Sequence, residues 1–490
     1  MAKTLPSQRK NHIYFGYLLL IGLIATFLMT ELSQARTQTQ EVLIKVAPQL
    51  GVQNVREFAS QAEELGGGWY RAHVAKGHQS LQTLAQNPFV EHVQGNPKVY
   101  LQHQIRFNDP VRGQAYIRQL EQNPQMGQLN SYRPDNPAVP KAPTNRTGTD
   151  PLIAQQWGMA NSGATEAWKK SQGSEDMIVA VLDTGVDYTH EDLLPNLWRN
   201  PGEIPDNGID DDKNGYVDDE VGWDFAGNDN KPYDLAVTNQ MDVIRGGNPG
   251  HGTHCAGNVA ARGGNAIGIS GVAPNVKIMS LRFISEKGSG TTADAVKAIR
   301  YAVDNGAKIL SNSWGGEGQD DTSEENLALK EAIQYALDKG TLFVAAAGNG
   351  RGGKGFNNDT DKTPVFPASY TFDNIITVAA MNSSDQLGGF SNFGEKGVHI
   401  GAPGVKVFAT VPANGYTDVI IDRMGLKAFW DGTSMATPHV AGAAALYWSA
   451  HPSATYKDVK NAILKSAKKV PALSGKVSTG GKLDVKELMN

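Results

Sequence analysis

The chain has 490 residues, with 45 Lys and Arg against 50 Asp and Glu, for a formal charge of −5 and an isoelectric point near 6.1. That balance excludes a polycationic nucleic-acid binder, and the length exceeds one ordinary domain and allows a large core. A single cysteine, Cys255, excludes an intrachain disulfide, so an exported form has to rely on core size, bound metal or slow unfolding.

Lys3, Arg9 and Lys10 precede an apolar run from Ile13 to Met29, and Ser33-Gln34-Ala35 puts small residues at signal-peptidase spacing. Residues 1–35 therefore read as a secretory signal, or as a membrane anchor if they are retained, and the chain as secreted or periplasmic. Residues 36–103 read as a small separate domain. Strands are expected at Glu41–Val46, Trp69–Val74, Val90–Val93 and Lys98–Leu101. Helices are expected at Val52–Leu65 and Gln79–Ala85, giving an α+β, ferredoxin-like sandwich. Residues 104–149 lose this periodicity, and Pro124, Pro134, Pro137, Pro140 and Pro143 mark an extended linker.

From about Asp150 the pattern changes. Continuous apolar runs at Met177–Leu182, Val276–Phe283, Lys308–Leu310, Leu342–Ala347 and Ile375–Ala380 are those of strands buried on both faces. Helical segments at Ala293–Asn305 and Ser323–Lys339 alternate with them and stop at Gly306 and Gly340. Strand and helix in alternation predict an α/β fold, a three-layer arrangement around a mostly parallel sheet over 150–490. Ligands in such folds bind beyond the carboxyl ends of the strands.

The chemistry-bearing residues fall at those ends. Asp183 closes one strand, His251 opens a small-residue helix at His251-Gly-Thr-His-Cys-Ala-Gly257, and Ser434 opens another with Pro438 in its first turn. A serine hydroxyl needs a base to become a nucleophile, an imidazole titrates in the right range, and a carboxylate fixes the imidazole tautomer. Asn349, after Leu342–Gly348, supplies an amide donor for an oxyanion, with the Ser434 N–H as its companion.

These residues identify the chain as similar to subtilisin-like serine proteases, the subtilases. The resemblance rests on Asp183-Thr-Gly185, His251-Gly-Thr-His254, Ala347-Gly-Asn349 and Gly432-Thr-Ser-Met-Ala436. Gly271-Val-Ala-Pro274, Ser313-Trp-Gly-Gly316, Phe390-Ser-Asn-Phe-Gly394 and Gly401-Ala-Pro-Gly404 support it. It implies a triad of Asp183, His251 and Ser434, an oxyanion donor in Asn349, and a peptide-binding edge at Ser313, Trp314 and Gly315. It also implies a secreted, monomeric endopeptidase acting on proteins and made as a zymogen. Residues 36–103 would be the inhibitory prodomain, and a final self-cut would fall between about His103 and Asp150. His254 reads as structural. Cys255 reads as a small buried residue, although some family members are thiol-sensitive at this position.

Between the Asp and His motifs lies an acidic insertion, Asn207 to Glu220. Asp210, Asp212, Asn214 and Asp218 offer side-chain oxygens and Tyr216 a carbonyl at calcium-loop spacing, with Gly215 at the turn, but Val221 stands where an EF-hand has Glu. Calcium is the expected structural cofactor. The resemblance adds Asp192 as a ligand of a second site, with Asn265 as its weaker partner. An Asx-turn-rich loop without metal is the alternative. Two other functions compete. An esterase or lipase is disfavoured by the residue order and by the absence of a nucleophile-elbow glycine after Ser434. A calcium-dependent surface protein on an inactive protease fold would not need the complete triad.

Overall fold

In the computed structural model, the described residues are 39–47, 49–129, 137–141, 147–318 and 326–490. The apolar run Ile13–Met29 and the expected signal cleavage site lie outside them. Among the described residues no helix is long and apolar enough to cross a membrane. The chain divides after Gly95 into two compact units.

The first unit contains strands β1 (Thr39–Val46), β2 (Ser60–Gly66), β3 (Trp69–Ala75) and β4 (Val90–Gly95), with helices Val52–Arg56 and His78–Ala85. The sheet order is β2-β3-β1-β4 and all pairs are antiparallel. This β-α-β-β-α-β order is a split β-α-β arrangement. Val42, Ile44, Val55, Tyr70 and Ala72 form its core. The helix expected over Val52–Leu65 ends at Arg56, and the remainder forms β2, which turns into β3 through Gly66-Gly67-Gly68.

The second unit opens with β5 (Lys98–Leu101), which belongs here rather than with the sheet of the first unit. Next in the chain are β6 (Ile178–Asp183), β7 (Gly222–Asp224) and β8 (Lys277–Arg282). β9 (Ser289–Thr291) leads into the helix Thr292–Asp304, and β10 (Ile309–Asn312) is followed closely by β11 (Trp314–Glu317). The helix Leu327–Asp338 then precedes β12 (Leu342–Ala346), β13 (Val365–Phe366), β14 (Ile375–Met381) and β15 (Ile400–Pro403). Two hairpins come next, β16 (Ala409–Val411) with β17 (Gly415–Thr417) and β18 (Val419–Arg423) with β19 (Leu426–Phe429). The chain closes with helices Thr433–Ala450 and Tyr456–Ser466 and the short β20 (Lys468–Lys469) and β21 (Gly481–Lys482).

Nine strands form one sheet in the order β20-β21-β15-β14-β12-β10-β6-β8-β7, parallel throughout except for the β20–β21 edge pair. Burial on both faces explains the continuous apolar runs. On β6, Val179 and Val181 join the core that holds helices His251–Ala260 and Thr433–Ala450, and the alternate residues Ala180 and Leu182 are equally inaccessible. Residues 104–149 are not uniformly extended. Asp109 caps a helix at Pro110–Gln122 by accepting from the Val111 and Arg112 N–H groups at 3.1 and 3.0 Å, with Pro110 at the first helical position.

The helix carrying Ser434 lies against the one carrying His251 because small residues let it. A side-chain carbon added at Gly442 would sit 2.8 Å from Val272 Cβ and 3.1 Å from the Val259 carbonyl oxygen. Gly442→Ala should therefore destabilise the protein by about 1–3 kcal/mol through overpacking. Denaturant melts read this best in a Ser434→Ala background, where self-digestion cannot confuse the midpoint. An unchanged midpoint would show that the two helices have slack.

Candidate active site

Buried β6 stops at Asp183, whose carboxylate is fully inaccessible. Two residues later Gly185 has φ +95°, and a side chain there would meet the Pro232 carbonyl oxygen at 2.6 Å. Glycine is what lets the chain leave the strand at this angle. His251 is the first residue of its helix. Asn248 Oδ1 accepts from the Gly250 and His251 N–H groups at 2.8 and 2.7 Å, using donors that a helix start leaves open.

Asp234, which motif reading passed over, joins the strand end to the helix. Its buried carboxylate accepts from Thr184 Oγ1 at 2.8 Å, Asn248 Nδ2 at 2.7 Å, Thr253 N at 2.9 Å and Thr253 Oγ1 at 2.6 Å. Burial pushes its pKa up to about 6, against the pull of those hydrogen bonds. The available signal was the pair of hydroxyls, Thr184 and Thr253. They lie beside the two candidate catalytic residues, and buried hydroxyls need partners.

His251 Nδ1 stands 2.7 Å from Asp183 Oδ1, and neither side chain is accessible to solvent. Burial alone would lower the imidazole pKa, but the Asp183 charge overrides it and holds His251 well above the ordinary value. His251 Nε2 has no hydrogen-bond partner among the described residues. Ser434, second in its helix, donates from Oγ to the Ser313 carbonyl at 2.8 Å. Asn349 Oδ1 accepts from Thr433 N at 2.9 Å and Thr433 Oγ1 at 3.1 Å, which leaves its buried Nδ2 unpaired. An unpaired buried donor costs about 1–3 kcal/mol, and such groups are often kept for a reacting species.

The Ser313–Gly315 edge meets an extended stretch of the same unit. β5 pairs antiparallel with β11, Leu101 opposite Trp314 and Tyr100 opposite Gly315, and on its other side with β9. Gln102 N–H donates to the Ser313 carbonyl at 3.2 Å, and the Ser434 N–H donates to the Gln102 carbonyl at 3.1 Å. His254 stacks on Trp430 at 4.2 Å, and its Nε2 lies 3.0 Å from the Val407 carbonyl. Cys255 Sγ lies 3.8 Å from His251 Nδ1, and burial pushes the thiol pKa up.

The acidic insertion groups differently from its calcium-loop spacing. Of the spaced residues, only Asp212 has a carboxylate oxygen within 4.8 Å of those of Glu203 and Asp219, two buried acids outside the expected ligand set. Asp210 is already accepting from the Asn214 and Gly215 N–H groups, and Asp218 from those of Asn207 and Gly208. Asn214 Nδ2 bridges Asp212 and Asp219 at 3.0 and 2.9 Å. The Tyr216 ring packs edge-on against Trp223 and Tyr301. Burial pushes Asp219 up to about 6, with the Asp212 charge adding to it. Elsewhere, Asp192 accepts from Asn265 Nδ2 at 2.8 Å and Ile269 N at 2.9 Å, and Asp150 accepts from the Gly264 and Asn265 N–H groups. Burial raises Asp192 to about 7, and the Asp150 charge contributes. The Glu203, Asp212 and Asp219 oxygens, within 4.8 Å of one another, are hard ligands that fit a divalent cation such as calcium.

A hydroxyl at a helix start, an imidazole backed by a buried carboxylate, an unpaired amide donor and a strand-pairing edge are the groups that a serine hydrolase acting on an extended peptide requires. Residues 174–480 match the subtilase family. The chain belongs to that family, whose members are serine endopeptidases. It is 37% identical over 315 residues to the thermophilic serine proteinase of Bacillus sp. (strain AK1), covering 64% of this chain and 62% of that one. With thermitase of Thermoactinomyces vulgaris it shares 35% identity over 325 residues, covering 66% of this chain and 92% of the relative. Its fold resembles that of fervidolysin from Fervidobacterium pennivorans, a keratinolytic enzyme related to subtilisin. The TM-score is 0.63 at 25% identity, over 92% of this chain and 61% of that one.

If His251 is the base that takes the serine proton, only its neutral form can do so, and activity should rise with pH as the imidazole loses its proton. Because the folded-state pKa is raised, the acid limb of kcat/KM should lie above the ordinary imidazole value of 6.5. A pH–rate profile with a limb below that value would contradict the electrostatic balance described for Asp183 and His251.

Proposed function

We propose that the protein is a secreted serine endopeptidase, made with an inhibitory N-terminal domain, that hydrolyses peptide bonds of proteins and matures by cutting itself. The observation that carries this reading is the 2.7 Å Asp183–His251 contact beside Ser434 and the unpaired Asn349 amide. In the reaction, Ser434 Oγ turns from the Ser313 carbonyl to His251 Nε2, gives up its proton and attacks the substrate carbonyl carbon. The Ser434 N–H and Asn349 Nδ2 hold the resulting oxyanion. His251 then protonates the leaving amine, and water releases the acyl group by the reverse path. Ser313, Trp314 and Gly315 pair with the substrate main chain.

Ser434→Ala and His251→Ala should each lower turnover of a generic protein substrate by about 10⁴-fold or more, and the double variant should be scarcely worse. Asn349→Ala should cost about 10²–10³-fold, mainly in kcat; the magnitude is that known for a subtilisin oxyanion Asn. Purified Ser434→Ala should also keep its N-terminal region. Full activity in Ser434→Ala would end this reading.

Calcium, in this proposal, serves stability rather than chemistry. Glu203, Asp212 and Asp219 would hold one ion, and Asp150 and Asp192 with Asn265 another. A cation that binds only the folded state adds RT ln(1 + [Ca²⁺]/Kd), about 2.7 kcal/mol at a hundred times Kd. Chelation should lower the melting temperature and shorten the active lifetime while initial rates hold, and Asp212→Ala with Asp219→Ala should reproduce part of the shift. Equal melting curves in excess calcium and in chelator would remove the ion.

A further inference from the structure

The main chain passes through the active site at one peptide bond. Before that bond, Leu101 N–H donates to the Gly288 carbonyl at 3.3 Å and Gln102 N–H to Ser313. At the bond, the Gln102 carbonyl accepts from the Ser434 N–H. A side-chain carbon placed on Gly432 would lie 2.5 Å from the Gln102 carbonyl oxygen and 2.9 Å from His103 Cα. The His103 ring centroid is 5.6 Å from that of His251. Beyond the bond, Gln104 N–H donates to the Asp431 carbonyl at 2.7 Å and Gln104 Nε2 to the Asn349 carbonyl at 3.1 Å. The chain is thus held on both sides of Gln102–His103, with the carbonyl on the donor an oxyanion would use.

Residues 107–129 are anchored separately. Phe107 bridges to Ala428, Asn108 N–H donates to the Lys427 carbonyl at 2.8 Å, and Asn108 Oδ1 accepts from Lys427 N at 2.9 Å. The helix Pro110–Gln122 sets Tyr116 and Leu120 into a core with Met241, Val243, Ile421 and Leu426. Tyr116 OH donates to Gln240 Oε1 at 2.7 Å, and Leu129 N–H donates to the Thr238 carbonyl at 2.7 Å. None of these contacts depends on the Gln102–His103 bond.

We propose, resting on the proteolytic reading above, that Gln102–His103 is the first bond the enzyme cuts in itself, and that residues 103–129 then remain docked as a strap across the leaving-group side of the cleft. Ser434 Oγ attacks the Gln102 carbonyl carbon, the bond to the His103 nitrogen breaks, and that nitrogen leaves as an amine carrying the proton taken up by His251. Water then releases Gln102 as a carboxylate and restores the serine proton. The new N-terminus at His103 is tethered to an anchored helix, so its effective concentration at the site stays high. It keeps occupying the ground where the far half of a protein substrate must lie. A short substrate that fills only the side before the cut does not need that ground.

The test tracks the full-length wild-type chain through maturation by N-terminal sequencing. Two substrates are assayed at each stage, a short peptide anilide and casein. The first new N-terminus should be His103. That form should hydrolyse the anilide, with its casein rate lower by about tenfold relative to the anilide than in a strap-loosened variant, Tyr116→Ala with Leu120→Ala. A milder pair, Asn108→Ala with Arg112→Ala, removes exposed side-chain hydrogen bonds, those of Asn108 with Gly425 and Lys427 and that of Arg112 to the Met424 carbonyl, and should give part of the same shift. It decides the matter should the core pair not fold. A different first N-terminus, with Ser434→Ala still intact, overturns the bond assignment alone. A casein-to-anilide ratio within about twofold of wild type in the variants overturns the strap. Maturation of isolated Ser434→Ala defeats the proteolytic reading itself.

Discussion

The site depends on a charge that has been taken out of water. Asp183 ends an interior strand of the nine-stranded sheet and is buried. A carboxylate in that position persists only if it is paired and hydrogen-bonded. The Thr184 N–H, at 2.7 Å, and His251 Nδ1 both meet its Oδ1, while Oδ2 has no hydrogen-bond partner among the described residues. The same pairing orients the imidazole, leaves Nε2 without a hydrogen-bond partner among the described residues and raises the His251 pKa. One desolvated charge therefore sets tautomer, orientation and basicity together, and the surrounding architecture keeps water away from it.

Asp234 extends that logic one step outward. It ties Thr184, beside the acid, to Asn248 and Thr253, on either side of the imidazole, so the strand end and the helix start move as one piece. The Ser434 helix is located differently, by close packing. Gly442 lets it reach the His251 helix, and Thr433 binds Asn349 through both its N–H and its hydroxyl. Hydrogen bonding alone joins one half of the site, while the other combines close packing with the Thr433–Asn349 hydrogen bonds.

This division explains what could be read from the sequence. Asp183, His251, Ser434 and Asn349 could be singled out as candidates because the proposed chemistry needs those residue types, and strand ends and helix starts carry local signals. The parallel sheet was legible because burial on both faces leaves uninterrupted apolar runs. The Val52–Leu65 segment misled for a definite reason. β2 carries register shifts against β3 between Ser60 and Glu63 and between Glu64 and Gly66. Its buried residues Ala62 and Leu65 then follow Val55 and Ala59 at helical intervals. Bulges had changed a period of two into one of three. The helix Pro110–Gln122 was hidden by its polar composition and its narrow buried stripe, although Asp109-Pro110 is a sound helix start. The Glu203–Asp212–Asp219 grouping was out of reach because it joins residues by the path of an irregular loop, which no periodicity records.

If the β11 edge also receives substrate, as proposed, the placement of β5 between β11 and β9 makes substrate recognition and self-recognition coincide. A strand added between β11 and β9 takes its hydrogen bonds from main chain, which every peptide possesses, so the edge itself is indifferent to sequence. Discrimination is left to alternate side chains. Val99 and Leu101 are buried while Tyr100 stays half exposed, so apolar groups are demanded two and four positions before the crossing and tolerance is expected at the position between them. Because Val99 and Leu101 are the chain's own residues, the requirement is met within the folded molecule without loss of association entropy. On the self-cutting proposal, a foreign chain bears that loss and must match the same pockets, so a self-segment of only moderate fit would hold the cleft until its connection is cut.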